Sequence, residues 1–92
     1  MEYKTIILPS AVADLEKLPK ERRSKILRRI KWLSQNAEFV IHHQLRNMPP
    51  DLRGLCRLRS GAYRILYWFY PEERVIKVYQ VRHRSSIYRR LS

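Results

Sequence analysis

The 92-residue chain has little cysteine, glycine or acidic side chain, and each shortage excludes a class of protein. Its single cysteine, Cys56, can form no internal disulfide, so we expect a reducing, cytoplasmic environment. With only Gly54 and Gly61, it has no glycine-rich loop for ATP or dinucleotide phosphates. No apolar run approaches the ~20 residues of a membrane span. Residues 1–8 lack the apolar core and cleavage site of a signal peptide.

The shortage of acidic residues leaves a strongly basic chain. Eight Asp and Glu stand against 20 Lys and Arg, which gives a formal net charge of +12 and a pI near 10.6. Such a charge attracts polyanions, whether RNA, DNA, a ribosomal surface or an acidic protein partner. Arginine outnumbers lysine, which favours planar, bidentate contacts with phosphate. Composition alone does not separate these four partners.

The apolar pattern predicts one α+β domain over residues 1–92. A β-branched strand at residues 3–8 ends at Pro9. Pro9 then opens a first helix, for which Ser10 is the expected cap. A second helix over residues 20–36 places apolar residues at helical spacing, and Pro19 joins the two helices into a hairpin.

Three further strands are predicted after an irregular, proline-containing segment. They cover residues 52–59, 63–70 and 75–82, and the short turns between them make them antiparallel neighbours. Together with the N-terminal strand, this three-stranded meander completes a four-stranded sheet with the helices packed on one face. A short C-terminal helix is expected within residues 85–91.

The candidate functional residues are cations on the last three predicted strands. Arg57 and Arg59 are two apart, so they project from the same face of their strand. Arg64 lies just past the next turn, and Arg84 lies at the end of the last strand. Because clustered guanidinium groups repel one another, their convergence favours a bound polyanion. The alternative is that Arg57 and Arg59 are independent, solvated side chains on an open face.

RNA cleavage needs a base, an acid and positive charge around the phosphorane. Arginine supplies charge but no base, because its pKa exceeds ~12. His83 is therefore the candidate base in this region, since histidine titrates near neutrality without help. The alternative is a structural histidine at a strand end. Tyr88 is a candidate for stacking on a base or positioning the phosphate.

Other chemically capable residues favour structural roles. His42 and His43 are adjacent, and with one cysteine and no nearby acidic cluster they do not indicate a zinc site. Cys56 has no histidine–acid arrangement around it and is expected to pack in the sheet. Trp32 on the second helix is expected to be a packing residue.

The sequence of residues 52–67, followed by residues 81–84 and 87–89, resembles the RelE/ParE superfamily of bacterial and archaeal toxins. The predicted topology, the length and the basic charge fit that superfamily as well. Within it, the pattern is closer to the RelE branch. The resemblance implies a ribosome-dependent mRNA interferase of a type II toxin–antitoxin pair. Such an enzyme cuts the codon exposed in the A site with the message's own 2′-hydroxyl, and it uses no metal or cofactor.

The resemblance also assigns roles to individual residues. Arg64 and Arg84 would bind the scissile phosphate and stabilise the transition state, and Tyr88 would orient the nucleotide. Arg57 and Arg59 stand where the best-known bacterial members carry lysines, one of which is a proposed base. The base is therefore unassigned, and His83 becomes the more attractive candidate. The full phosphate-binding set is Arg57, Arg59, Arg64, Arg82 and Arg84, with Arg59 also counted as catalytic.

The same superfamily supplies the main rival interpretation. ParE-type toxins share the fold but inhibit DNA gyrase, and they generally lack this set of cations with a late tyrosine. A third possibility is a basic module that binds RNA or the ribosome without cutting. The implied partners are the ribosome with its mRNA and a small acidic antitoxin, through which the pair would bind operator DNA; no membrane is involved.

Overall fold

The computed structural model describes residues 2–86, which form two helices and a five-stranded sheet. No helix within these residues is long and apolar enough to cross a membrane. The elements in chain order are β1 (Lys4–Ile7), α1 (Pro9–Glu16), α2 (Lys20–Asn36), β2 (His43–Gln44), a 3₁₀ turn (Pro50–Leu52), β3 (Cys56–Ser60), β4 (Tyr63–Tyr70), β5 (Val75–His83) and a second 3₁₀ turn (Arg84–Ser86).

The α+β class and the antiparallel meander are confirmed, but the predicted strand number is wrong. The sheet has five strands in the order β1-β5-β4-β3-β2, with β1 parallel to β5 and the other pairs antiparallel. The additional strand is β2, whose His43 and Gln44 pair with Arg57 and Cys56. Two residues are too few to show strand periodicity, so the sequence pattern does not reveal β2.

The helix hairpin forms where the sequence predicts it, with one local difference. Along α2, Ile26, Ile30 and Leu33 are buried at helical spacing. Helix α1 has Leu8 in the cap position, and no side chain caps it. The Ser10 hydroxyl instead donates a hydrogen bond to the backbone carbonyl of Tyr79. Ser10 is therefore not a cap but a tie between α1 and β5.

Two element boundaries differ from the prediction by more than one residue. Strand β3 begins at Cys56 rather than at residue 52, because Pro50–Leu52 forms a 3₁₀ turn and Gly54 has a positive φ of 84°. After β5 the chain forms the 3₁₀ turn Arg84–Ser86. The rest of the predicted C-terminal helix lies outside the described residues.

The sheet separates two apolar clusters of unequal size. The main core lies between the sheet and the helices, and a smaller cluster on the opposite face is centred on Leu45, Leu55 and Leu66. Cys56 belongs to the main core, as predicted, with only 2% of its surface exposed. Burial raises the pKa of its thiol to about 11, so it stays protonated and a poor nucleophile near neutral pH.

A change of register between β4 and β5 decides which β5 side chains face the helices. Tyr67 pairs with Val78 whereas Leu66 pairs with Gln80, so β5 has one extra residue there. Val78 and Val81, three positions apart, therefore both reach the main core. Strict alternation would have put them on opposite faces. Beyond this bulge, each residue of β5 points to the face opposite the one that alternation predicts.

His42 fixes the segment between α2 and the edge of the sheet. Its ring is stacked on Phe69 with centroids 3.8 Å apart. Nε2 lies 2.8 Å from the carbonyl oxygen of Ala37, and Nδ1 lies 2.7 Å from the Tyr67 hydroxyl. A carbonyl only accepts, so Nε2 carries a proton, and in the neutral ring Nδ1 accepts from Tyr67. Burial, with a smaller contribution from Cys56, raises the pKa of Tyr67 and keeps that hydroxyl protonated.

Replacing His42 is expected to destabilise the fold. His42→Ala removes the ring stack and both hydrogen bonds and leaves the Tyr67 hydroxyl buried without this acceptor. We expect the free energy of unfolding to fall by about 2 kcal/mol and the melting temperature by roughly 10 °C. The matched control is His43→Ala at the adjacent, exposed position, which should change stability by less than ~0.5 kcal/mol. Chemical denaturation measures the free energy of unfolding of both variants. Equal losses in His42→Ala and His43→Ala would contradict this structural role of His42.

Candidate functional site

One cavity of about 660 Å³ gathers four of the five predicted phosphate-binding arginines. It lies where α2, the segment after it, β2 and β3 meet the start of β4 and the residue following β5. We call it the cationic cavity. Its described lining residues include five arginines and no carboxylate. They are Arg29, Trp32, Val40, Ile41, His43, Arg57, Leu58, Arg59, Arg64, Tyr67 and Arg84.

The strand register places these cations side by side. Arg59 of β3 lies directly opposite Arg64 of β4, and Arg64 lies opposite Arg82 of β5. His43 of β2 lies opposite Arg57 of β3. Directly opposed residues of an antiparallel pair have Cβ atoms about 4.5–5.5 Å apart. The row Arg59–Arg64–Arg82 is thus a continuous line of like charge across three strands.

Arg84 reaches the cavity through the turn that follows β5. Its backbone N–H donates to the carbonyl of Ala62, 2.7 Å away, which holds the end of β5 against the β3–β4 turn. Arg82 is held differently. Its guanidinium donates to Gln80 at 2.9 Å and to the carbonyl of Ser86 at 3.2 Å. Arg82 is not among the residues that line the cavity, although it flanks Arg64.

His83 is not among the residues that line the cationic cavity. It pairs with Tyr63, and the two rings meet edge to face with centroids 5.3 Å apart. Tyr63 packs against the main core, and the Arg22 guanidinium lies over its ring. His83 Nδ1 is 2.9 Å from the Ser85 hydroxyl. The bulge in β5 sets the face of each residue, since it turns His83 to the helix face and Arg82 to the opposite face.

Among the lining residues that were not predicted as functional, Arg29, Trp32 and His43 add groups that can bind or react with a ligand. His43 is exposed on β2, while His42, just before that strand, contacts Tyr67 and Phe69 of the main core. Arg29 and Trp32 are on α2, with the guanidinium 4.3 Å above the indole ring. The two residues are three positions apart on α2, and neither belongs to the stripe of buried residues on that helix. This spacing was the signal in the sequence that could have indicated the pair. Tyr88, predicted as catalytic, lies outside the described residues.

The sequence identifies the family. Residues 5–88 match the family described as the ParE toxin of the type II toxin–antitoxin system parDE. The chain belongs to this family of toxins. It is thus a type II toxin of the RelE/ParE superfamily, as the resemblance predicted. A search of curated proteins gives no match at a significant level.

Several solved RelE toxins, alone or with their antitoxins, have the same fold. The Mycobacterium tuberculosis RelBE2 structure, which is similar in sequence as well, supports the RelE branch. The RelBE2 toxin–antitoxin complex of Mycobacterium tuberculosis is 27% identical, with a TM-score of 0.77 over 92% of this chain and 94% of that chain. Free Escherichia coli RelE carrying two arginine-to-alanine changes is 22% identical, with a TM-score of 0.71 over 95% and 88%. The archaeal RelE–RelB complex of Pyrococcus horikoshii is 24% identical, with a TM-score of 0.66 over 91% and 97%.

Removing one cation from the row across the sheet is expected to stabilise the toxin. Arg59→Gln relieves repulsion with Arg64, so we expect about 0.5 kcal/mol more stability at low salt. The gain should shrink as salt is added. Arg53→Gln is the control, because it removes a guanidinium from an exposed loop position before β3. Urea denaturation measures the stability of both variants. If Arg59→Gln is no more stable than Arg53→Gln, repulsion between Arg59 and Arg64 does not weaken the sheet.

Proposed function

We propose that this toxin is an mRNA interferase that cuts messenger RNA in the ribosomal A site and thereby stops translation. The observation that carries the proposal is the cationic cavity, where Arg57, Arg59, Arg64 and Arg84 meet His43. Opposed arginines on neighbouring strands cost stability, so their arrangement is best explained by a polyanion that occupies the site. The net charge of +12 agrees with a ribosomal, RNA-rich target.

The proposed reaction uses the message's own hydroxyl as the nucleophile. The 2′-hydroxyl gives its proton to a base, and its oxygen bonds to the adjacent phosphorus. The bond from that phosphorus to the 5′-oxygen breaks, and this oxygen takes up a proton. The products are a 2′,3′-cyclic phosphate and a 5′-hydroxyl. The proposed step uses no metal ion or cofactor, because the arginines supply the positive charge.

Within this mechanism the arginines position and stabilise. Arg64 and Arg84 bind the scissile phosphate, and their charge stabilises the phosphorane, which carries more negative charge than the ground state. Arg57, Arg59 and Arg82 bind the neighbouring phosphates and fix the register of the strand. Tyr88 retains the role that the family resemblance gives it, orientation of the nucleotide beside the scissile bond.

His43 is the side chain that we propose as the base, in place of His83. It lines the cationic cavity beside Arg57, whereas His83 lies against Tyr63 on the helix face. Arginine is protonated at all working pH values, so none of the cavity's guanidinium groups can take the proton. Histidine is the residue type whose ordinary titration range suits the task.

The proposed partner of the free toxin is an acidic antitoxin. The solved complexes with this fold pair RelE toxins with RelB antitoxins. An acidic chain that covers the cationic cavity would neutralise both its charge and its access to RNA. Binding of operator DNA would belong to the antitoxin in such a pair. The toxin itself would act in the cytoplasm, where the ribosomes are.

Cleavage of translated mRNA is the direct test. Purified toxin added to a translation extract should give discrete 5′ ends within translated frames, mapped by primer extension. Arg64→Ala and Arg84→Ala should each reduce the cleavage rate by about 10²–10³-fold, because each removes charge stabilisation at the phosphorane. Arg28→Ala, which removes an exposed guanidinium of α2 outside the cavity, is the matched control and should cleave at the normal rate.

Gyrase inhibition is the second candidate, because the matched family is described by its ParE member. A parallel assay of DNA supercoiling by gyrase distinguishes the two. Loss of supercoiling without any mRNA cleavage would contradict the interferase and support the ParE activity. Ribosome binding with neither effect would leave the third possibility, a basic binding module.

The identity of the base is tested by exchanging the two histidines separately. His43→Gln should lower the single-turnover rate on programmed ribosomes by about 10²–10⁴-fold and should remove the rise in rate with pH on the acid side. His83→Gln should leave both the rate and the pH profile unchanged. The assignment is wrong if His83→Gln abolishes the acid limb while His43→Gln preserves it.

A further inference from the structure

We propose that Arg29 and Trp32 of α2 form a nucleobase-binding subsite on the wall of the cationic cavity. The inference deepens the proposed ribonuclease function and rests on it. The subsite would take one unpaired base of the RNA strand whose phosphates the arginines hold. Contacts with phosphates alone do not distinguish an unpaired strand from a duplex, whereas stacking on an exposed base does.

Trp32 is not a core residue. The apolar stripe of α2 consists of Ile26, Ile30 and Leu33, which are at most 3% exposed. Trp32 is 38% exposed and belongs to neither apolar cluster. Its indole instead lines the cationic cavity. A large aromatic surface is therefore presented to the same space as the phosphate-binding side chains.

Arg29 holds the tryptophan in a defined arrangement. Its Nε donates a hydrogen bond to the backbone carbonyl of Arg59, 2.9 Å away, on β3. Its guanidinium carbon lies 4.3 Å from the centre of the Trp32 ring. The cation–π pair is thus anchored to the strand that carries Arg57 and Arg59. A planar guanidinium stacked on an indole offers two flat surfaces, and unpaired bases stack on both kinds.

The composition of the subsite predicts its ligand. Stacking on an aromatic ring or a guanidinium tolerates every base, since each has a π-face. The neighbouring cations supply the contacts with the backbone phosphates. Single-stranded RNA with a splayed-out base fits both features, whereas a duplex keeps its bases stacked inside. The subsite would therefore help to select unpaired RNA and hold one nucleotide in place for cleavage.

Binding of a short oligonucleotide isolates this contact from catalysis. The probe is a hexanucleotide with 2′-deoxyribose throughout, which lacks the attacking hydroxyl and cannot be cut. A matched series replaces one base at a time with an abasic site. Trp68→Phe leaves Trp32 as the only tryptophan, so its fluorescence reports the subsite directly. Saturable quenching by the intact probe, lost with an abasic site at one position, is the expected result.

Variants of the stacking residue supply the second measurement. Trp32→Leu should weaken binding of the intact probe about tenfold and leave binding of the critical abasic probe unchanged. Trp32→Phe, which keeps an aromatic face, should stay within about threefold of the parent. Leu27→Ala is the control, because Leu27 lies on the same helix at a similar exposure of 41% but lines a different cavity.

The outcomes separate the subsite from the proposed function. If Trp32→Leu binds the intact probe as tightly as the parent while Arg64→Ala abolishes mRNA cleavage, the subsite is overturned and the interferase stands. If abasic and intact probes bind equally to every variant, the subsite is likewise overturned. Weakening confined to Trp32→Leu and to one abasic position supports it, even where cleavage on ribosomes is absent.

Discussion

The change of register between β4 and β5 is the constraint on which the arrangement of the site depends. One extra residue on β5 lets Val78 and Val81 both enter the main core. The same shift puts Arg82 beside Arg64 and turns His83 towards Tyr63. Bulges commonly redirect side chains next to functional sites. Here one bulge both completes the core and decides that Arg82, rather than His83, shares a face with Arg64.

The concentration of positive charge has a cost in stability that the rest of the fold must offset. Arg59, Arg64 and Arg82 lie opposite one another on three strands, an arrangement that weakens a sheet. The cost is tolerable because the strands rest on a well-buried core, in which Ile65, Ile76 and Val78 have no exposed surface. The apolar core on the helix face thus offsets the repulsion among the arginines on the opposite face of the sheet. Proteins often offset an unfavourable functional site with stability from the rest of the fold.

Periodic features could be predicted from the sequence, and features set by single contacts could not. The bounds of α2 and β4 follow from apolar spacing and turn residues, because many positions contribute to each pattern. β2 has two residues and exists through its pairing with β3, which no local pattern encodes. The grouping of Arg57, Arg59, Arg64 and Arg84 in one cavity was predictable from strand spacing. The face to which His83 points could not be predicted. The alternation of apolar and polar residues in the first half of β5 gives no sign of the bulge that follows it.

His43, Arg29 and Trp32, which the sequence did not place in the cavity, come from segments outside the meander. His43 reaches it because its neighbour His42 is fixed by Phe69, Tyr67 and the carbonyl of Ala37. Arg29 reaches the cavity because its side chain joins α2 to β3 through a hydrogen bond to the carbonyl of Arg59. The meander therefore supplies charge, whereas the helix and β2 supply an aromatic ring and an imidazole. The hydrogen bond from Arg29 to Arg59 and the contacts of His42 join different elements, so the make-up of the cavity depends on tertiary packing. The strands of the meander alone would present arginines without the indole and the imidazole.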